Sequence, residues 1–233
     1  MKFKLKYVAV SLIAINVAMF ILQQIIPKMT DALLLDASMV WHKPWLLLTS
    51  MFLHADITHL LFNMYSLLIF GMLVEQRIGS NRFLGAYLIS GIIAGAGATF
   101  FYPRALGASG AIMSLLGLTI ILMPDLKVLF FFVVPMTMRT AGIIFAAIDV
   151  IFIFIPTGVA NIAHLIGLAC GLAYGYYLMK RKSKVIHRVL GVEYAENTSS
   201  IKKKKTSSKS SSKKTTIELT DDEIEEYMNK GHL

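Results

Sequence analysis

Charge is scarce over most of this 233-residue chain. Residues 1–179 hold ten basic and six acidic side chains, whereas the last 54 residues hold thirteen and eight. Soluble domains carry about a quarter charged residues, so the charge-poor body excludes a cytosolic globular enzyme. It also excludes a simple DNA-binding reading of the net charge of +9, and no nucleic-acid partner is expected. Cysteine is nearly missing: the single Cys170 excludes an internal disulfide framework and a Cys-rich zinc fold. The first apolar stretch has no small-residue cleavage site, so it reads as a retained span rather than a signal peptide.

Apolar residues fill what charge leaves vacant, at 56% of the chain. A helix needs roughly 20 apolar residues to cross the hydrocarbon core. Tyr7–Pro27, Thr58–Val74, Phe83–Tyr102, Ala141–Ile155 and Gly158–Met179 fit or nearly fit, and Ser109–Met123 is a short sixth stretch rich in small residues. Val128–Val134 stops at Pro135, is too short to cross, and is expected to be an interfacial or loop segment. The expected fold is therefore an all-α polytopic membrane protein with six transmembrane helices.

Basic residues orient it. With both termini cytoplasmic, eleven lysines and arginines flanking the spans fall inside (Lys2, Arg77, Lys127 and Lys180 among them). Lys28, Lys43 and Arg104 fall outside. The expected location is the cell membrane. In the outer loop Lys28–Leu53, Trp41 and Trp45 suit the headgroup level. The membrane domain is expected over residues 1–183, followed by a juxtamembrane segment, 184–196. A Lys/Ser-rich disordered linker, 197–216, then leads to a short acidic helix, 217–233, opened by the capping box Thr220–Glu223.

Polar side chains inside a bilayer are costly and default to functional hypotheses. His59 and Asn63 lie early in the second span, Ser109 opens the fourth, and His164 lies six residues into the last, roughly 9 Å below its start at about 1.5 Å per residue. Three helices thus bring these groups to the outer half of the membrane. Ser109 sits in Gly107-Ala108-Ser109-Gly110 at a helix start, where free N–H groups favour developing negative charge. Helix packing by small residues is the alternative. His164 shares a face with Gly167, Gly171 and Gly175, which lets the helix approach a neighbour and aims the imidazole at it. A Ser–His pair within hydrogen-bond reach is the minimum apparatus for nucleophilic catalysis; a structural interhelical bond is the alternative. His59 and Asn63, at i and i+4, share a face and can both donate to an oxyanion, or simply bond between helices. His54 precedes that span and either orients the loop or backs up the cluster. Zinc is disfavoured because there is no His-Glu-x-x-His motif and Asp56 is placed to cap the helix, so no metal is expected. Glu75 with Arg77 reads as an ion pair or cap, and Asp149 as a buried structural acid, protonated or hydrogen-bonded and without an evident partner, or as part of a proton path.

Taken together these segments resemble the rhomboid family of intramembrane serine proteases, over about residues 40–175. Thr49–Asn63 is similar to the family's His-x4-His-x3-Asn pattern, Glu75-Gln76-Arg77 to its Glu-x-Arg, Gly107–Gly110 to its Gly-x-Ser-Gly, and Ala163–Gly171 to the segment around its catalytic histidine. The resemblance implies a dyad of Ser109 as nucleophile and His164 as base, without a third, acidic member. It further implies oxyanion stabilisation by the Ser109 N–H with His59 and Asn63, supported by His54, Gly107, Gly110, Gly167, Gly171, Glu75 and Arg77. It implies transmembrane protein substrates and no cofactor. Two positions depart from the pattern: Leu46 follows Trp45 where the family often has arginine, and Met113 stands where an aromatic often stacks on the histidine. The alternatives are a catalytically inactive rhomboid-like protein that binds membrane clients, and a transporter relaying protons through Asp149 and the histidines.

Overall fold

The computed structural model describes residues 7–130, 134–155 and 158–190 of the chain, with side-chain surroundings as far as Arg181. Two compact units divide after Tyr176. The first unit contains helices in all six expected places. They are α1 (Val8–Ile25), the run α4 (Ile57–Ser66)–π-helical Leu67–Gly71–α5 (Met72–Ile78), α6 (Ser80–Ala98), α7 (Ser109–Leu122), α8 (Met138–Ile153) and the start of α9 (Asn161–Leu190). The segment after α1 adds two short helices, α2 (Met29–Leu33) and α3 (Leu46–Thr49). Among the described residues, three helices are long and apolar enough to cross a membrane: Val8–Ile25, Ile57–Ile78 and Asn161–Arg181. Of the second unit, 177–233, only the helical residues up to Leu190 are described. The expected Lys/Ser linker and acidic helix lie outside the described residues.

The distribution of side chains is that of a body surrounded by lipid rather than water. Ile15, Ile21, Leu61, Phe62, Ile89 and Ile143 face outward, while Asn16, Ser90, Ser114 and Thr119 are buried. Small or hydroxylic residues inside let helices approach, and large apolar ones suit a hydrocarbon solvent. The buried hydroxyls stay satisfied within their own helices: Ser114 donates to the Ala111 carbonyl at 2.7 Å and Thr119 to that of Leu115 at 2.8 Å.

Helix α7 is the central post, and glycines set its distance from α9. A Cβ added at Gly167 would run into the Gly110 carbonyl, and one at Gly171 into the Ser114 carbonyl. The glycine face expected on the last span therefore lies directly on the α7 backbone. In the other direction, Gly117 of α7 leaves room for the Leu168 carbonyl.

The start of α1 is capped from a distance. Its first residues lack a local side-chain cap, and the Glu75 carboxylate accepts from the Val8 and Ala9 N–H groups at 2.8 and 2.9 Å and from the Ser80 hydroxyl at 2.6 Å. Glu75 thus caps a helix 66 residues away.

The long loop after α1 is folded down. Its strand β1 (Leu35–Asp36) pairs antiparallel with β2 (Arg104–Ala105), just ahead of Ser109. Leu46 packs in a buried cluster with Leu35 and Val40, while Trp41 and Trp45 stay exposed. Leu46 is accordingly an apolar anchor for this loop. The apolar run before Pro135 is not a spanning helix: strands β3 (Lys127–Phe130) and β4 (Val134–Thr137) pair as an antiparallel ladder.

Candidate active site

Three helix beginnings meet at one cavity. Ser109 is the first residue of α7, His59 the third of α4 and His164 the fourth of α9. All three, with Asn63, line a cavity of about 740 Å³ whose walls also include Tyr102 and Arg104. Helix N-termini present unpaired N–H groups and the positive end of the dipole, so the cavity favours negative charge.

Each side chain is placed by its own local reason. Asp56 caps α4 by accepting from the His59 N–H at 2.8 Å. The His59 ring accepts a long bond from the Ala55 N–H at Nδ1, 3.5 Å. Gly107 holds the left-handed φ of +122°, and its N–H donates to the Ser50 carbonyl at 2.9 Å. A Cβ at Gly107 would lie 3.0 Å from His59 Nε2 and 3.7 Å from Ser109 Oγ. One methyl-sized point therefore touches both the imidazole and the hydroxyl, and glycine keeps that space open. Asn63 is buried, and its amide donates to the His59 carbonyl at 2.9 Å. Behind His59 lies His54, buried, with ring centroids 5.1 Å apart at 68°. Gln23 of α1 fixes the His54 backbone, accepting from its N–H at 3.0 Å and donating to its carbonyl at 3.1 Å. Burial, with His59 beside it, pushes the His54 imidazole down to about 4.

His164 is anchored through its other face. Its Nδ1 lies 2.9 Å from Asp149 Oδ1 of α8, and both side chains are largely buried. The hydrogen-bonded acid expected at Asp149 is present, and its partner is the histidine itself. Ser109 and His164 share the cavity wall. Met113 also lines the cavity, packed against the cluster of Leu116, Met138 and Leu168, so it supports the wall with a thioether in place of a ring.

Gln23 and Tyr102 were not foreseen. The Tyr102 hydroxyl accepts from the Ile162 N–H at 3.3 Å, satisfying an orphan donor at the start of α9. Glutamine late in an apolar stretch was the available signal for Gln23; an aromatic at a helix end gave none for Tyr102. Among the described residues, no group of three or more His, Cys, Asp or Glu is arranged to hold a metal ion.

Residues 41–181, more than half of the chain, match the family model described as Rhomboid domain. The chain is 35% identical over 150 residues to "Putative rhomboid protease YdcA" of Bacillus subtilis (strain 168), covering 60% of this chain and 70% of that protein. It is 37% identical over 132 residues to "Rhomboid protease GluP" of the same organism, covering 54% of this chain and 24% of that protein. To "Rhomboid protein 1, mitochondrial" of Saccharomyces cerevisiae it is 32% identical over 200 residues, covering 79% of this chain and 57% of the relative. Two of these names state a protease, and one places its protein in mitochondria.

Proposed function

The chain belongs to the rhomboid family, and from that premise we propose that it is an intramembrane serine endopeptidase cutting transmembrane protein substrates. The observation that carries the proposal is the shared cavity, where His59 and Asn63 of α4 meet Ser109 of α7 and His164 of α9. Ser109 Oγ attacks the scissile carbonyl while His164 takes its proton. The oxyanion is met by the Ser109 N–H, His59 Nε2 and the Asn63 amide. The acyl-enzyme is then released by water, for which a polar cavity is required. Because a helix occupies its own carbonyls, the substrate segment must unwind locally, so small residues near Gly or Pro are favoured at the cleavage site.

In this reading all six helices cross the bilayer as one domain over residues 1–183, with both termini cytoplasmic. The cavity opens toward the outer leaflet, and the cell membrane is the proposed location. Residues 184–233 take no part in the chemistry in this reading.

The test is cleavage of a reporter carrying one transmembrane segment, by purified protein in bilayers. Cleavage lost in Ser109→Ala and in His164→Ala supports the reading. An intact protein that binds the reporter but never cuts it supports an inactive, client-binding member of the family.

A further inference from the structure

The acid on α8 has more to do than fill a gap. Asp149 is largely buried, and among the described residues its partner is the His164 imidazole, at 2.9 Å through Nδ1. A carboxylate in the middle of an apolar helix is costly to maintain, and a neutral amide could serve a merely structural hydrogen bond. A negative charge becomes useful when the partner turns cationic, as a histidine does on accepting a proton. The contact also decides the tautomer. An Nδ1–H donated to the carboxylate leaves the Nε2 lone pair free, and the imidazole carrying that lone pair lines the cavity with Ser109. A second tie holds α8 to α9: the buried Asn161 amide donates to the Phe152 carbonyl at 3.1 Å and to that of Val159 at 3.2 Å.

We propose that Asp149 is the positioning residue for His164, so that this chain works with a Ser109–His164–Asp149 relay rather than with serine and histidine alone. The inference rests on the protease reading above. As Ser109 Oγ bonds to the scissile carbonyl carbon, its proton passes to His164 Nε2 and the carbonyl electrons move to the oxyanion. Collapse re-forms the carbonyl and breaks the C–N bond, and the leaving amine takes the Nε2 proton. Asp149 remains a carboxylate throughout, orienting the ring and stabilising the imidazolium.

The experiment compares wild type, Asp149→Asn and Asp149→Glu in bilayers, with thermal unfolding of each. Asp149→Asn keeps the shape but can lock the wrong tautomer, so kcat is expected to fall about 10²-fold or more with KM little changed. Asp149→Glu is expected to recover part of that loss. A second measurement needs no variant at Asp149: the ¹⁵N spectrum of histidine-labelled wild type, with His164 assigned by His164→Ala. It is expected to show neutral His164 protonated at Nδ1. Active wild type with equal kcat in Asp149→Asn, or His164 protonated at Nε2, overturns the relay and leaves the protease reading standing. Wild type that never cleaves, and fails as Ser109→Ala does, overturns both.

Discussion

Replacing Gly171 by alanine sets two effects of opposite sign against each other. Alanine is favoured over glycine in a helix interior by about 1 kcal/mol. Against that, the new Cβ would overlap the Ser114 carbonyl, with the Ser114 carbonyl carbon 2.7 Å and Cα 2.8 Å away. Those are backbone atoms of the central helix and cannot rotate aside. The two helices must part by about 1 Å to restore van der Waals distance, and overpacking of this kind costs about 1–3 kcal/mol. The expected net effect is destabilisation on the order of 1 kcal/mol. The shift also withdraws His164 from Ser109, and a 1 Å misplacement can cost roughly 10²-fold in rate. Gly85→Ala in α6 is the control: nothing lies within 4 Å of its added Cβ. It should therefore stabilise by about 0.4–1 kcal/mol and leave the rate unchanged. Thermal unfolding in detergent and initial rates of reporter cleavage read both quantities. Gly171→Ala unfolding at or above the wild-type temperature with full activity would refute the close-packing account.

Three further outcomes follow. Glu75→Ala orphans two buried N–H groups of α1 and is expected to cost about 2–3 kcal/mol in unfolding experiments, with Glu75→Gln costing less. Gly107→Ala forces a side chain onto a φ of +122° and against the His59 ring; cleavage should fall sharply with a stability loss of about 1–3 kcal/mol. His54 is held neutral by burial, its imidazole pushed down to about 4, so between about pH 6.5 and 4 the unfolded chain binds the extra proton. Its contribution is complete above pH 6.5 and is lost as pH falls toward 4, on the order of 3 kcal/mol in all. The unfolding free energy of His54→Gln should vary less with pH across that window than that of wild type.

The helices and the members of the site were legible in the sequence because lipid enforces a simple code. Apolar length gives a helix, and a polar residue within one stands out. His59 with Asn63, Ser109 and His164 could each be placed near a helix beginning, and the cavity gathers them. The glycine face of α9 was legible for the same reason: spacings of three and four put residues on one face. Contacts between segments were not. Asp149 is 15 residues from His164, across the α8–α9 connection, and nothing in a lone mid-helix acid names its partner. Glu75 reads as a cap from its place near a helix end, but the helix it caps is α1, which only the folded chain brings near. The two-residue pairing of Leu35–Asp36 with Arg104–Ala105 is too short to leave a periodic signal.

The central claim is that Ser109 is an activated nucleophile. Purified full-length protein treated with a fluorophosphonate should be labelled at Ser109, located by peptide mass analysis, and labelling should vanish in Ser109→Ala and in His164→Ala. Absence of labelling in the folded wild-type protein, or labelling undiminished in His164→Ala, would contradict the account.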